Sequence, residues 1–208
     1  MKKILALIAA VSLATLTACG NANTAATLGD MTITQSDLQA TVNTILKERE
    51  SVDSAQMQLE TGASLNRSQL RFAIITTIFD EIAQELKLTV TKTEIATTKA
   101  QLIDQSGGQE AFARNLVAAQ IASTNFDRYV RAIIISDKIS QALKDSGVAD
   151  ADVSAKISQL VTAKGKQLKI TVNPRYGVWD QENGDIVAMD SAGSAVQDGA
   201  STAAPSIG

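Results

Sequence analysis

Apolar positions along the chain change period several times, and each change marks a boundary. Residues 25–28 and 31–33 are short apolar stretches on either side of the turn pair Gly29-Asp30 and predict an extended hairpin. Thr34 and Asp37 then form a Thr-x-x-Asp capping signal. After it Leu38, Val42, Ile45 and Leu46 fall on one narrow stripe, predicting a helix that runs to about Glu50. Residues 51–64 are polar, contain Gly62 and have weak periodicity, so a flexible connection or frayed helix is expected there. Asn66 predicts the cap of a long helix over about 67–87. Its Leu70, Phe72, Ile74, Ile75, Ile78, Phe79, Ile82 and Leu86 cover more than half of the circumference at about 100° per residue, so neighbours must contact it on at least two sides.

The same grammar continues downstream. Thr91 and Glu94 make a second capping box, opening a helix to about Gln105 that Gly107-Gly108 stops. Residues 109–119 form a short helix carrying Phe112 and Leu116, and Ser123 or Thr124 is the expected cap of a helix over about 125–144. That helix has two apolar sides, with Phe126, Tyr129, Val130, Ile133 and Ile134 on one and Ile135, Ile139 and Ala142 on the other. Gly147 ends it, Asp150 or Asp152 is the expected cap of a shorter helix to near Gly165, and residues 168–172 alternate as a half-buried strand. Asn173-Pro174 reads as a turn, and Asn183-Gly184 predicts a type I′ hairpin pairing 178–180 with 185–187. From Asp190 the chain is Ser, Ala, Gly, Asp and Gln, a composition too polar to bury a core. The expected fold is mainly α: a helical domain over 25–180, a small β element pairing N-terminal and C-terminal strands, and a disordered tail over 190–208.

The N-terminus has a pattern of its own. Lys2 and Lys3 precede an apolar run over residues 4–16, too short to span a bilayer and typical of a secretion signal. Leu16-Thr17-Ala18-Cys19 resembles the bacterial lipobox, which implies diacylglyceryl transfer to the Cys19 thiol and cleavage before it. Residues 1–18 are then a lipoprotein signal peptide and 19–24 a tether. One acyl chain binds a membrane only marginally, whereas two or three hold it stably. Loss of Lys2 and Lys3 would take the formal charge from −3 to −5. The expected location is the extracytoplasmic face of the cell membrane.

Composition narrows the chemistry. With 0 His and 1 Cys there is no Ser-His-Asp triad, no imidazole base, no disulfide within the chain and no Cys- or His-based metal cluster. No cofactor and no metal are expected. An acidic balance argues against nucleic acid as a partner. Asp150 with Asp152, and Asp180 with Glu182, lack the alternating oxygen ligands and sixth-position Gly of a calcium loop, and read as capping and turn acids. Asp80, Glu81 and Glu85 read as a solvated helix face.

The ordered set of residues 28–38 (LGDMTITQSDL), 86–95 (LKLTVTKTEI) and 107–112 (GGQEAF), with the later cap at Ser123, resembles the N-terminal domain of SurA-like chaperones and foldases, including PrsA and trigger-factor relatives. The resemblance covers about 25–145. The block 173–179 (NPRYGVW) looks like the tail of actinobacterial lipoproteins carrying this domain. The resemblance implies binding of unfolded or exported, apolar-rich polypeptide. Foldase members insert a parvulin prolyl isomerase domain after the long helix, whereas here 64 residues follow Lys144 and none is histidine. Isomerase activity is therefore not carried over, and no enzyme is expected. Surplus apolar surface on the two long helices makes Phe72, Ile75, Phe79, Phe126, Tyr129 and Ile135 the candidate peptide-binding residues, against the plainer reading that each is core. Pro174, Arg175, Tyr176, Gly177 and Trp179 form a recognition block or, more simply, a lock in which Arg175 pairs with a carboxylate and the rings pack. The alternative function is an envelope adaptor whose second apolar face docks one fixed partner or a second copy of the chain.

Overall fold

In the computed structural model, which describes residues 23–189, the segments that flank the helices meet in one small sheet. β1 (Thr24–Leu28) is its centre, with β2 (Met31–Thr34) antiparallel on one side and β3 (Thr171–Val172) antiparallel on the other. Ala25, Ala26 and Leu28 are fully buried, so β1 is the sheet's inner strand in packing as well as in order. Gly29 turns the chain at φ +59, and its N–H donates to Leu168 O at 2.6 Å, joining the two flanking segments at a second point. The strand expected over 168–172 keeps only its last two residues. Leu168 is the C-cap of the preceding helix and Lys169 stands at φ +48, so the backbone extends only after them.

Helices fill the interval. α1 (Gln35–Arg49) starts where Thr34 Oγ1 accepts the Asp37 N–H at 3.0 Å. α2 spans Gly62–Glu85, beginning five residues earlier than the sequence pattern indicates. Asn66 is not its cap: the Asn66 amide donates to Gly62 O at 2.8 Å inside the first turns. Tertiary contacts set the true start, because Leu65 is 1% exposed and the Glu60 carboxylate accepts from Ser64 Oγ. The connection over 51–61 is tied down at its end, at Glu60. Arg49 donates to Glu60 O and to Gln120 Oε1, and that same amide oxygen accepts the Glu60 N–H.

α3 (Lys92–Gln105) opens on a complete capping box between Thr91 and Glu94, and Gly107 and Gly108, both at positive φ, separate it from α4 (Gln109–Ala118). α5 (Phe126–Asp145) follows a 3-10 turn at Ser123–Asn125. Neither Ser123 nor Thr124 caps it. Glu48 reaches across from α1 to accept the Ser123 N–H at 3.2 Å, so an acid distant in sequence satisfies the orphan donor. α6 (Asp150–Gln167) is likewise capped at Ala149, with Asp150 and Asp152 in its first turn, where the positive end of the helix dipole favours them. Gly165 does not end it but lies inside it, against Ile78 and Ile170. β4 (Val178–Asp180) and β5 (Asp185–Val187) pair as expected, through a four-residue loop rather than a two-residue type I′ turn. Only Gly184 has positive φ there, and Asp180 Oδ1 accepts the Glu182 and Asn183 N–H groups.

Two apolar clusters result. The larger gathers β1, α1, α6 and Ile186 around α2, which buries Leu70, Ile74, Ile78 and Ile82 at four-residue steps. The smaller joins Phe112 and Leu116 of α4 to Phe126, Val130 and Ile134 of α5. Ile135 and Ile139 face the larger cluster, so α5 divides its two apolar sides between them, which is why its sequence needed both. No helix among the described residues is long and apolar enough to cross a membrane. The signal segment 1–18, Cys19 and the tail 190–208 lie outside the described residues.

Candidate functional site

α2 and α5 pack along a seam of small and β-branched residues. Thr76 and Thr77 are buried in it, each hydroxyl donating to a carbonyl of the preceding turn (Thr76 to Phe72 O at 2.9 Å, Thr77 to Ala73 O at 2.8 Å). Their polar groups are thereby satisfied, and the helix surfaces on either side of the seam are left open. The openings differ in chemistry.

The first is an apolar groove of about 320 Å³. Phe72, Ile75 and Phe79 line it from α2 at steps of three and four, and Tyr129, Ala132 and Ile133 line it from α5. All six are half-buried, packed at the base and open at the top. Ile75 and Phe79 rest on the larger cluster and Tyr129 on the smaller, so the floor of the groove spans the place where the two cores meet. Ser68, Arg71 and Ser136 form its polar rim. Arg71 Nε donates to Gly184 O at 2.8 Å and lies 3.3 Å from the Asp185 carboxylate, so the β4–β5 loop stands beside one end of the groove.

Four of the six residues singled out in the sequence, Phe72, Ile75, Phe79 and Tyr129, therefore share this groove. The other two do not. Ile135 is 0% exposed in the larger cluster, and Phe126 is buried with its ring centroid 4.7 Å from that of Phe112 and Lys99 Nζ 5.3 Å above it. Neither has surface to offer a peptide. Ile133 takes their place, and its position one helical turn after Tyr129 is the signal that would have found it.

The second opening, on the other side of the seam, is a cleft of about 710 Å³ between the β1–β2 hairpin, α1, α2 and α5. Met31, Ile33 and Ala73 contribute apolar surface, and Asp80, Arg128 and Arg131 contribute charge. Arg131 Nε donates to Asp80 Oδ1 at 2.6 Å. Arg128 Nη2 donates to Thr77 Oγ1 at 2.5 Å and to Ala73 O at 3.4 Å. Burial holds the Arg128 pKa below its usual value, a shift that the nearby Asp80 carboxylate partly offsets.

The block at 174–179 lines neither opening. Arg175 Nη1 donates to Gln35 Oε1 at 2.6 Å, an amide rather than the carboxylate expected, and its guanidinium lies 5.4 Å over the Tyr176 ring. Asn173, just before Pro174, donates from its backbone to Ala25 O and from its side chain to Thr24 O. Tyr176 and Trp179 pack on the larger cluster, so the block fastens the C-terminal segment to β1 and α1. The acidic groups are similarly occupied: Asp150 pairs with Lys144, Glu85 with Lys164, and Asp180 accepts from its own turn. Among the described residues no group of three or more acidic, His or Cys side chains is placed to hold a metal ion.

No curated protein and no solved structure matches the chain. A sequence model described as the SurA-like N-terminal domain matches residues 1–140. That span contains the hairpin, α1 to α4 and most of α5, and with them nearly all residues that form the two openings. On that match the chain belongs to the SurA-like N-terminal domain family.

Proposed function

We propose that this protein is a lipid-anchored, extracytoplasmic chaperone-like protein that binds unfolded or exported polypeptides without catalysis. The groove between α2 and α5 carries the reading. Six half-buried apolar side chains packed at the base on both cores, with a polar rim, are what is needed to receive apolar side chains of an extended chain and release them again. Membership of the SurA-like family supplies the general polypeptide-binding role. The anchor rests on the sequence: two lysines, an apolar run too short to span, and Cys19 at the lipobox position.

Suppression of aggregation of an unfolded reporter tests the binding. The full chain should suppress it at several-fold excess, and Ile133→Ser with Phe79→Ser together should weaken client binding by about thirtyfold or more, since each truncation removes at least roughly 1 kcal/mol of apolar contact. Absence of suppression by the unaltered chain would sink the reading. Saturation by one stoichiometric partner, with no effect on unrelated reporters, would replace it with the adaptor. For the anchor, Cys19→Ser should move the protein from the membrane fraction to the soluble fraction; a variant that stayed with the membrane would refute lipidation at this position.

A further inference from the structure

Arg128 stands out among the cations of the α2–α5 region for what it lacks. Arg131, Lys138 and Lys99 each bond a carboxylate (Asp80, Glu94 and Asp127), whereas both hydrogen bonds of Arg128 go to neutral oxygens, Thr77 Oγ1 and Ala73 O, and the nearby Asp80 is bonded to Arg131 instead. Both leave from Nη2. Its Nε and Nη1 groups donate to nothing among the described residues, although a guanidinium carries five N–H donors in a planar fork. Thr77, itself buried, fixes the orientation of that fork by receiving one of its hydrogens while passing its own to Ala73 O. A half-buried, oriented guanidinium with N–H groups open to the solvent side of a cleft of about 710 Å³ has the geometry to receive an anion.

The surroundings define that ligand. Met31, Ile33 and Ala73 offer an apolar surface in the same cleft, so the anion is carried on an apolar group rather than free in water. Asp80 lies near both guanidiniums and is bonded by Arg131, while Asp37, which accepts from the Thr34 hydroxyl at 2.6 Å, and Glu81 leave the rim acidic. A dianion or polyanion is repelled there, whereas a single planar carboxylate matches the fork. We infer that the cleft beside Arg128 binds a carboxylate of a polypeptide, its C-terminal group or an acidic side chain, with the neighbouring apolar residues of that polypeptide lying on Met31 and Ile33. This inference rests on the polypeptide-binding reading but assigns a second, polar site on the opposite side of the seam from the apolar groove.

The test compares peptides on the full chain by fluorescence anisotropy. An alternating leucine–alanine hexapeptide, labelled at its N-terminus, is offered as the free acid, as the C-terminal amide, and as an amide with one internal glutamate. The acid should bind about tenfold or more tightly than the plain amide. Arg128→Gln and Arg128→Lys should both collapse that ratio towards one, because lysine keeps the charge but loses the fork. A ratio measured within one variant is insensitive to the fraction folded. Ile133→Ser, on the other side of the seam, should lower both affinities and keep the ratio. If the glutamate amide also binds tightly, an acidic side chain is the source of the carboxylate; if only the free acid does, the C-terminus is. Equal binding of all three peptides by the unaltered chain overturns the carboxylate site and leaves polypeptide binding standing, whereas no binding of any peptide overturns both.

Discussion

At Gly177 the backbone stands at φ +130, and a Cβ there would lie 2.2 Å from Val187 O. Two costs coincide: a conformation that side chains rarely adopt, and a collision with backbone that cannot rotate away. Gly147 has φ +92 but nothing within 4 Å of its would-be Cβ, so it meets only the first cost. In urea unfolding, Gly177→Ala should lose about 3 kcal/mol or more and Gly147→Ala roughly 1 kcal/mol. Equal losses would show that the contact with β5 is not what demands glycine. The two residues are the same letter in the sequence, so the difference was not legible there; only the return of β5 past Gly177 creates it. The candidate site has the same limit. Phe72, Ile75, Phe79 and Tyr129 were identifiable because two apolar sides on one helix imply surplus surface. Which of Ile133 and Ile135 stays open depended on where α6 and β1 lie, and periodicity carries no such information. Arg128 gave no signal at all, since its meaning is that no carboxylate hydrogen-bonds to it, the nearby Asp80 being bonded by Arg131.

Capping shows the corresponding division at the scale of elements. Starts fixed by local chemistry, at Thr34 and Thr91, were legible because both partners lie within one turn. Starts fixed from a distance were not: Glu48 serves the turn before α5, and the burial of Leu65 draws α2 back to Gly62. The box at α3 has an outcome in pH. Glu94 is held at a pKa of about 2, below its usual 4.5, first by the Lys138 ammonium and then by the Thr91 N–H at 2.7 Å and the Thr91 hydroxyl. A depressed carboxylate contributes stability that is complete above its unfolded pKa and is lost as pH falls through the folded one. The wild-type advantage over Glu94→Gln should therefore be constant above about pH 5 and shrink steadily towards pH 2 in thermal unfolding. An advantage unchanged down to pH 2 would mean that the ion pair and cap are not formed in solution. α6 gives the opposite sign of substitution. Gly165 is helical, and its Cβ would meet Ile170 Cδ1 at 3.6 Å and Ile78 Cδ1 at 3.8 Å, ordinary contact distances. Gly165→Ala should stabilise by about 0.5–1 kcal/mol through the lower entropy of the unfolded chain, and a loss instead would show that α6 sits closer to α2 than described.

For the molecule as a whole, the division of the core decides how it opens. The larger cluster is closed by the strands that flank the helices, since β1 pairs with β3 and Asn173 donates to both Thr24 O and Ala25 O. α3 and α4 take no part in that closure. α3 buries no residue, and α4 buries Phe112, Leu116 and Val117, the first two against α5 in the smaller cluster. Local stability follows buried apolar contact, so the α3–α4 pair should open as a unit below the free energy of global unfolding. Hydrogen exchange should show amides of α3 and α4 exchanging together and faster than those of β1, α2 and α6. Leu116→Ala, a loss of about 2 kcal/mol or more, should speed exchange in α3, α4 and the first turns of α5 while leaving β1 and α6 near their original rates. α5 belongs to both clusters, so its N-terminal half should follow the smaller and its Ile135–Ile139 half the larger. If the substitution instead accelerates every element equally, the two clusters unfold as one cooperative unit, and the groove between α2 and α5 is as rigid as the rest of the molecule. If only α3, α4 and the first turns of α5 respond, the Tyr129 end of that groove can loosen while its α2 wall holds, which would give the proposed client a way in and out without unfolding the domain.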